Sequence, residues 1–134
     1  MNTTRRTFLG TIVASLAGIT FLGSFKSKSK KDPMLTHHVF FWLKNPSSTA
    51  DRDRLIEGLK TLKKIESIRQ IHIGVPADTE KRDVVDNSYS VSELMFFDDT
   101  AGQKIYQDHP IHKKFVENCS MLWEKVIVYD TLNV

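Results

Sequence analysis

The sequence predicts an α+β domain built on one antiparallel sheet of four strands. Four runs rich in β-branched and aromatic residues are bounded by turn signals or by amphipathic helical stretches. The helical stretches follow the first and third runs, which gives the order strand, helix, strand, strand, helix pair, strand. The long charge-free stretch of the chain lies ahead of all these elements and is set apart from the domain.

The first strand is THHVFFWLK, Thr36 to Lys44. Side chains alternate across a strand, so His37, Val39, Phe41 and Leu43 share one face while His38, Phe40 and Trp42 share the other. Both faces are apolar, so the strand needs two separate apolar surroundings. After the turn NPSST, Ser48 with Asp51 fits a capping box, and Leu55, Ile56, Leu59, Leu62 and Ile65 form a helical stripe. The second strand is Ile68 to Val75, ended by Pro76 and a long polar connection. The third is SYSVSELMFF, Ser88 to Phe97, with Tyr89, Val91, Glu93, Met95 and Phe97 on one side. Asp98 or Asp99 can cap a short helix running through Tyr106. Pro110 suits the first turn of the next helix, where its missing N–H costs nothing, and Ile111, Phe115, Cys119 and Leu122 line that helix. The last strand is WEKVIVYDTL, Trp123 to Leu132, apolar on both parities in its middle.

This order is the split βαβ arrangement of ferredoxin-like domains. Such a unit has one sheet face covered by helices and one bare. The bare face is expected to carry Phe40, Trp42, Val126 and Val128. An exposed patch of that size calls for a second copy packed sheet to sheet, a homodimer forming one α/β barrel. Burying four large apolar side chains at about 2 kcal/mol each gives about 8 kcal/mol per subunit before association costs.

Residues 1–25 read as a leader. Arg5 and Arg6 precede 18 uncharged residues, Phe8 to Phe25, and the TRRTFL core resembles a twin-arginine export signal. The expected location is therefore the periplasm or cell envelope, with membrane contact only through residues 8–25 if they are retained. Residues 26–34 are a basic linker, and the domain spans 35–132. The leader and linker hold 6 of the 19 basic residues, so the chain from Asp32 onward has 13 basic against 16 acidic, a net −3. That balance argues against a nucleic-acid binder, which needs a positive footprint on its folded part. Cys119 stands alone and excludes an intrachain disulfide.

The chemistry-bearing residues cluster around YQDHPIHKKF. His109 precedes Pro110, whose ring holds it extended; these two are expected to form a structural joint, with His109 capping the following helix or bonding across to another element. His112 lies in the first turn of that helix, where added positive charge is disfavoured. A neutral imidazole there can accept a proton from an acidic carbon, hold a ligand, or fix the helix by a hydrogen bond. Glu93 is a charged group on an otherwise apolar face, and a buried carboxylate needs a partner or a shifted pKa. It could support a histidine, bind a polar ligand group, pair with Lys125, or stand at the sheet rim. No metal site is expected, since His109 and His112 have Pro110 between them and no fixed third ligand. No cofactor is called for either: a P-loop and a dinucleotide fingerprint are both lacking.

The domain resembles the stress-responsive dimeric α/β-barrel family over Leu35 to Leu132. HHVFFWLK, LIEGLKTLKKI, IHIG, YSVSELMFFDD, YQDHPIHKKF and WEKVIVYD carry the resemblance, and HPIH matches the family's H-P-x-H element. One plant member is a polyketide cyclase that works without metal or organic cofactor. Its resemblance implies a catalytic His112, a partner tyrosine at Tyr106 and a cavity-lining His37. Where that cyclase has a further pocket histidine in the third strand, this chain has Val91. Together with the leader, the resemblance implies an exported dimeric binder of a small apolar carbonyl or aromatic ligand, with a cyclase- or lyase-type acid/base reaction as its chemistry. Two other classes stand beside it: a non-catalytic binding or stress protein, and a cofactor-free monooxygenase.

Overall fold

The structure is a computed structural model and describes residues 35–134. The expected leader and linker, residues 1–34, lie outside the described residues.

Strand β1, Leu35–Leu43, buries every second residue, as its two-faced alternation requires. Helix α1, Thr49–Thr61, starts where the Asp51 N–H donates to the Ser48 hydroxyl at 3.1 Å. Its apolar stripe continues through a 3₁₀ turn, Leu62–Lys64, so that Leu55, Leu59, Leu62 and Ile65 are all buried. Strand β2 is Gln70–Gly74, shorter than Ile68 to Val75 because the Ile68 N–H closes a turn onto the Ile65 carbonyl. Strand β3 is Val91–Phe97. Helix α2, Thr100–Asp108, is capped by Asp99, which accepts from Gly102 N–H at 2.8 Å. Helix α3, Pro110–Cys119, follows after one extended residue, and a 3₁₀ turn leads into β4, Trp123–Leu132.

The four strands form one antiparallel sheet in the order β2-β3-β1-β4, the ferredoxin-like topology, with α1, α2 and α3 against one face. Directly paired residues point to the same side, so the register assigns the faces. On the helix-covered face His37 lies between Met95 and Asp130, and Val39 between Glu93 and Val128. On the bare face His38 lies between Leu94 and Tyr129, and Phe40 between Ser92 and Ile127.

This register corrects three expectations. Val126 and Val128 pair with Phe41 and Val39, so they sit on the helix-covered face; the bare face takes Lys125, Ile127 and Tyr129 from β4. β4 is apolar on both parities, and only its pairing with β1 decides which side faces the helices. Tyr89 also changes sides. The chain bends before β3 begins, and the Tyr89 ring lies 4.9 Å from Phe40 and 6.5 Å from Trp42, on the bare face. Lys125 is not Glu93's partner: its ammonium stands over the Trp42 ring at 4.4 Å, on the opposite side of the sheet.

Candidate functional site

The α2–α3 corner sets the site. His109 is extended, with φ −65° and ψ 138°, the conformation its following proline favours. Its Nδ1 accepts from Ile111 N–H at 3.1 Å and its carbonyl accepts from Lys113 N–H at 3.0 Å. His109 and Pro110 therefore form the joint and first turn of α3. That sharp corner brings the last turn of α2 over the first turn of α3, and the rings of Tyr106 and His112 approach to 4.5 Å between centroids.

Beneath the corner lies a cavity of about 200 Å³ between the helices and the sheet. Its polar lining comprises His37, Glu93, Tyr106, His112 and Gln107; Val39, Phe41, Phe115, Trp123, Val126 and Val128 make much of the apolar wall. His112, Tyr106, His37 and Glu93 are thus brought together. Phe40 and Trp42 are on the other side of the sheet. Val91 is fully buried opposite Phe41, an apolar contact at the position where the cyclase has its extra histidine.

Hydrogen bonds define how each polar group can act. A carbonyl oxygen only accepts, so the 3.0 Å contact of His112 Nδ1 with the Gln107 carbonyl places a proton on Nδ1. In the neutral ring Nε2 is then the nitrogen free to take a proton. Burial holds the His112 pKa below its ordinary value, which favours that neutral form; the Gln107 bond opposes the shift. His37 is buried, and its Nδ1–H donates to Asp130 Oδ1 at 2.6 Å, while its ring meets Tyr106 edge-on at 5.5 Å.

Glu93 is 1% exposed. Burial raises its pKa to about 8, against a smaller opposing effect of its hydrogen bond with Tyr106. Its carboxyl is therefore predominantly protonated at neutral pH. Burial likewise pushes the Tyr106 hydroxyl above its ordinary pKa, reinforced by the adjacent Glu93. Tyr106 is thus a proton donor and not a base. The Oε2 atom of Glu93 is buried with no hydrogen-bond partner among the described residues.

Two contributors were not legible beforehand. Asp130, which fixes the His37 ring, could be placed only through the β1–β4 register; its signal was a lone carboxylate on the parity of Val126 and Val128. The Gln107 carbonyl is main chain and has no sequence signal. Among the described residues, no group of three or more His, Cys, Asp or Glu side chains is placed to hold a metal ion.

Comparison with known proteins places this geometry. A crystal structure of a ferredoxin-like protein from Mesorhizobium loti, described as a member of the dabb family, is 27% identical, with a TM-score of 0.62, and the match covers 76% of this chain and 98% of that one. A dimeric ferredoxin-like protein of unknown function from Thermobifida fusca is 15% identical, with a TM-score of 0.61, over 77% of this chain and 93% of that one. The hydroxynitrile lyase of Passiflora edulis is 18% identical, with a TM-score of 0.64, over 77% of this chain and 95% of that one. The latter two likenesses show the fold alone. No curated protein matches the sequence. The family model described as the Stress responsive A/B Barrel Domain matches residues 35–133, nearly all of the described chain. That match takes in all four strands and the helices between them, and the chain belongs to the stress responsive A/B barrel domain family.

Proposed function

We propose that this chain is an exported homodimeric protein that binds a small apolar carbonyl compound and carries out cofactor-independent acid/base chemistry on it, of the lyase or cyclase type. The observation that carries the reading is the convergence of His112, Tyr106, His37 and Glu93 on one otherwise apolar cavity. His112 Nε2 takes a proton from an acidic carbon or a hydroxyl of the ligand. The Tyr106–Glu93 pair donates a hydrogen bond to the oxygen that gains charge as that proton leaves. Asp130 holds the His37 ring against Tyr106 and keeps the donor side of the cavity in place. The fold shared with a hydroxynitrile lyase supports a reaction in which removing a hydroxyl proton releases a carbon leaving group.

The apolar bare face and the dimeric name of the Thermobifida fusca neighbour support the homodimer. The Arg5-Arg6 start and apolar run support export.

Benzaldehyde release from mandelonitrile tests the chemistry. His112→Ala is expected to lower turnover at least ~100-fold and Tyr106→Phe about 10-fold, with the dimer intact. Equal turnover in wild type and both variants would reject these roles. A second reading, a binding protein without catalysis, is favoured by the main-chain bond of His112, which also anchors α3. It predicts ligand binding with no turnover in any variant.

A further inference from the structure

One buried group lining the cavity has hydrogen-bonding capacity that the described residues leave unused. The Oε2 atom of Glu93 has no partner, although the carboxyl also bonds Tyr106. Native folds rarely leave a buried polar atom in this state unless a ligand or water completes it. The other cavity groups are already committed on one side: His37 Nδ1 to Asp130, and His112 Nδ1 to the Gln107 carbonyl.

Among the described residues, no lysine or arginine lines the cavity. The titratable groups facing it from the elements around Glu93 are Tyr106 of α2, His112 of α3 and His37 of β1; Asp130 of β4 reaches it only through His37. On β2, the residue paired with Glu93 is Ile73. A carboxylate or phosphate ligand would meet the carboxyl and apolar walls with no fixed cation to balance it. A neutral carbonyl would accept a hydrogen bond from the protonated carboxyl. The size agrees with one ring: an apolar cavity of ~150 Å³ holds benzene, and this one is about 200 Å³.

Resting on the reading of this cavity as a ligand pocket, we infer that it selects an uncharged one-ring carbonyl compound against the corresponding carboxylate, and that Glu93 is the specificity-determining donor through its carboxyl O–H. Burial supports the protonated form, since it raises the Glu93 pKa to about 8. Ligand affinity then falls as pH rises past that value, where the donor becomes a repelling carboxylate.

The test is an equilibrium titration of the full chain with acetophenone and with benzoate, followed by ligand-observed NMR across a pH series. Acetophenone is expected to bind wild type at least about 10-fold more tightly than benzoate at neutral pH. Its affinity should drop above about pH 8, approaching ~10-fold per unit. Glu93→Gln, which keeps an N–H donor, should bind acetophenone with no alkaline loss; Glu93→Leu should bind it about 10-fold more weakly. Equal affinity for the two probes, tighter benzoate binding, or an alkaline loss that persists in Glu93→Gln overturns the inference and leaves the pocket reading standing. Binding of neither probe to wild type overturns the pocket reading itself. The wild-type comparison decides the matter even if a variant fails to fold.

Discussion

Glu93 opposes folding wherever its unfolded form would ionise. Its carboxyl shifts from an ordinary 4.5 to about 8 on burial, so the folded chain holds a proton that the unfolded chain releases between those values. Stability is therefore full below about pH 4.5 and is lost as pH rises towards about 8, at about 1.4 kcal/mol per pH unit from this group. Glu93→Gln should remove that slope. Urea unfolding is expected to show variant and wild type alike near the acid end of the range, and the variant more stable near its alkaline end. Parallel pH profiles for wild type and Glu93→Gln would contradict the assigned burial. At this scale the sequence was partly legible. Glu93 stood out as a charge among Val91, Met95 and Phe97, but its partner Tyr106 comes from a helix that no strand pattern could orient.

The elements meet at close quarters. α1 and α3 cross at Gly58, where an added Cβ would come within 2.6 Å of Cys119 Sγ and 3.1 Å of Phe115 Cδ2. Gly58→Ala is therefore expected to destabilise the fold by about 1–3 kcal/mol despite its better helix propensity. In a Cys119→Ala background most of the clash disappears, so the double variant should lose less than the sum of the two singles in thermal unfolding. Additive losses would show that the helices adjust independently. Elements with one apolar stripe were legible in outline: α1 was marked by Ser48 and its leucines, and α3 by Pro110 and Phe115. β4 was legible as a strand but not as a face, because Val126, Ile127 and Val128 are apolar on both parities and only the hydrogen-bonded register separates them.

For the whole molecule, the sheet is a partition. One side carries the cavity, and the other carries Phe40, Trp42, Tyr89, Ile127 and Tyr129 with one lysine among them. Phe40→Asp is expected to convert the proposed dimer into a monomer in sedimentation experiments at micromolar concentration, since a charge would replace the middle of the aromatic cluster. Val126→Thr, on the cavity side of the same sheet, should leave the assembled mass unchanged. A dimeric Phe40→Asp protein would move the subunit contact elsewhere. The ferredoxin-like topology was readable from the order of the elements. The identity of residues on each side was readable for β1, whose alternation is unambiguous, and not for Tyr89, which lies beyond a bend in the chain.

The pairing of β1 with β4 slips by one residue between Trp42 and Leu43: Trp42 faces Lys125 while Leu43 faces Trp123, and Glu124 is skipped. That slip puts Trp123 on the same side as Val126, although the two are three positions apart, and the indole joins the cavity wall. A regular ladder through the same residues would instead pair Leu43 with Glu124, turn the indole outward and bring a carboxylate to the cavity side. What lines this end of the chamber is therefore decided by one irregular step in the backbone: the slip seats an aromatic ring where an even ladder would seat a charge.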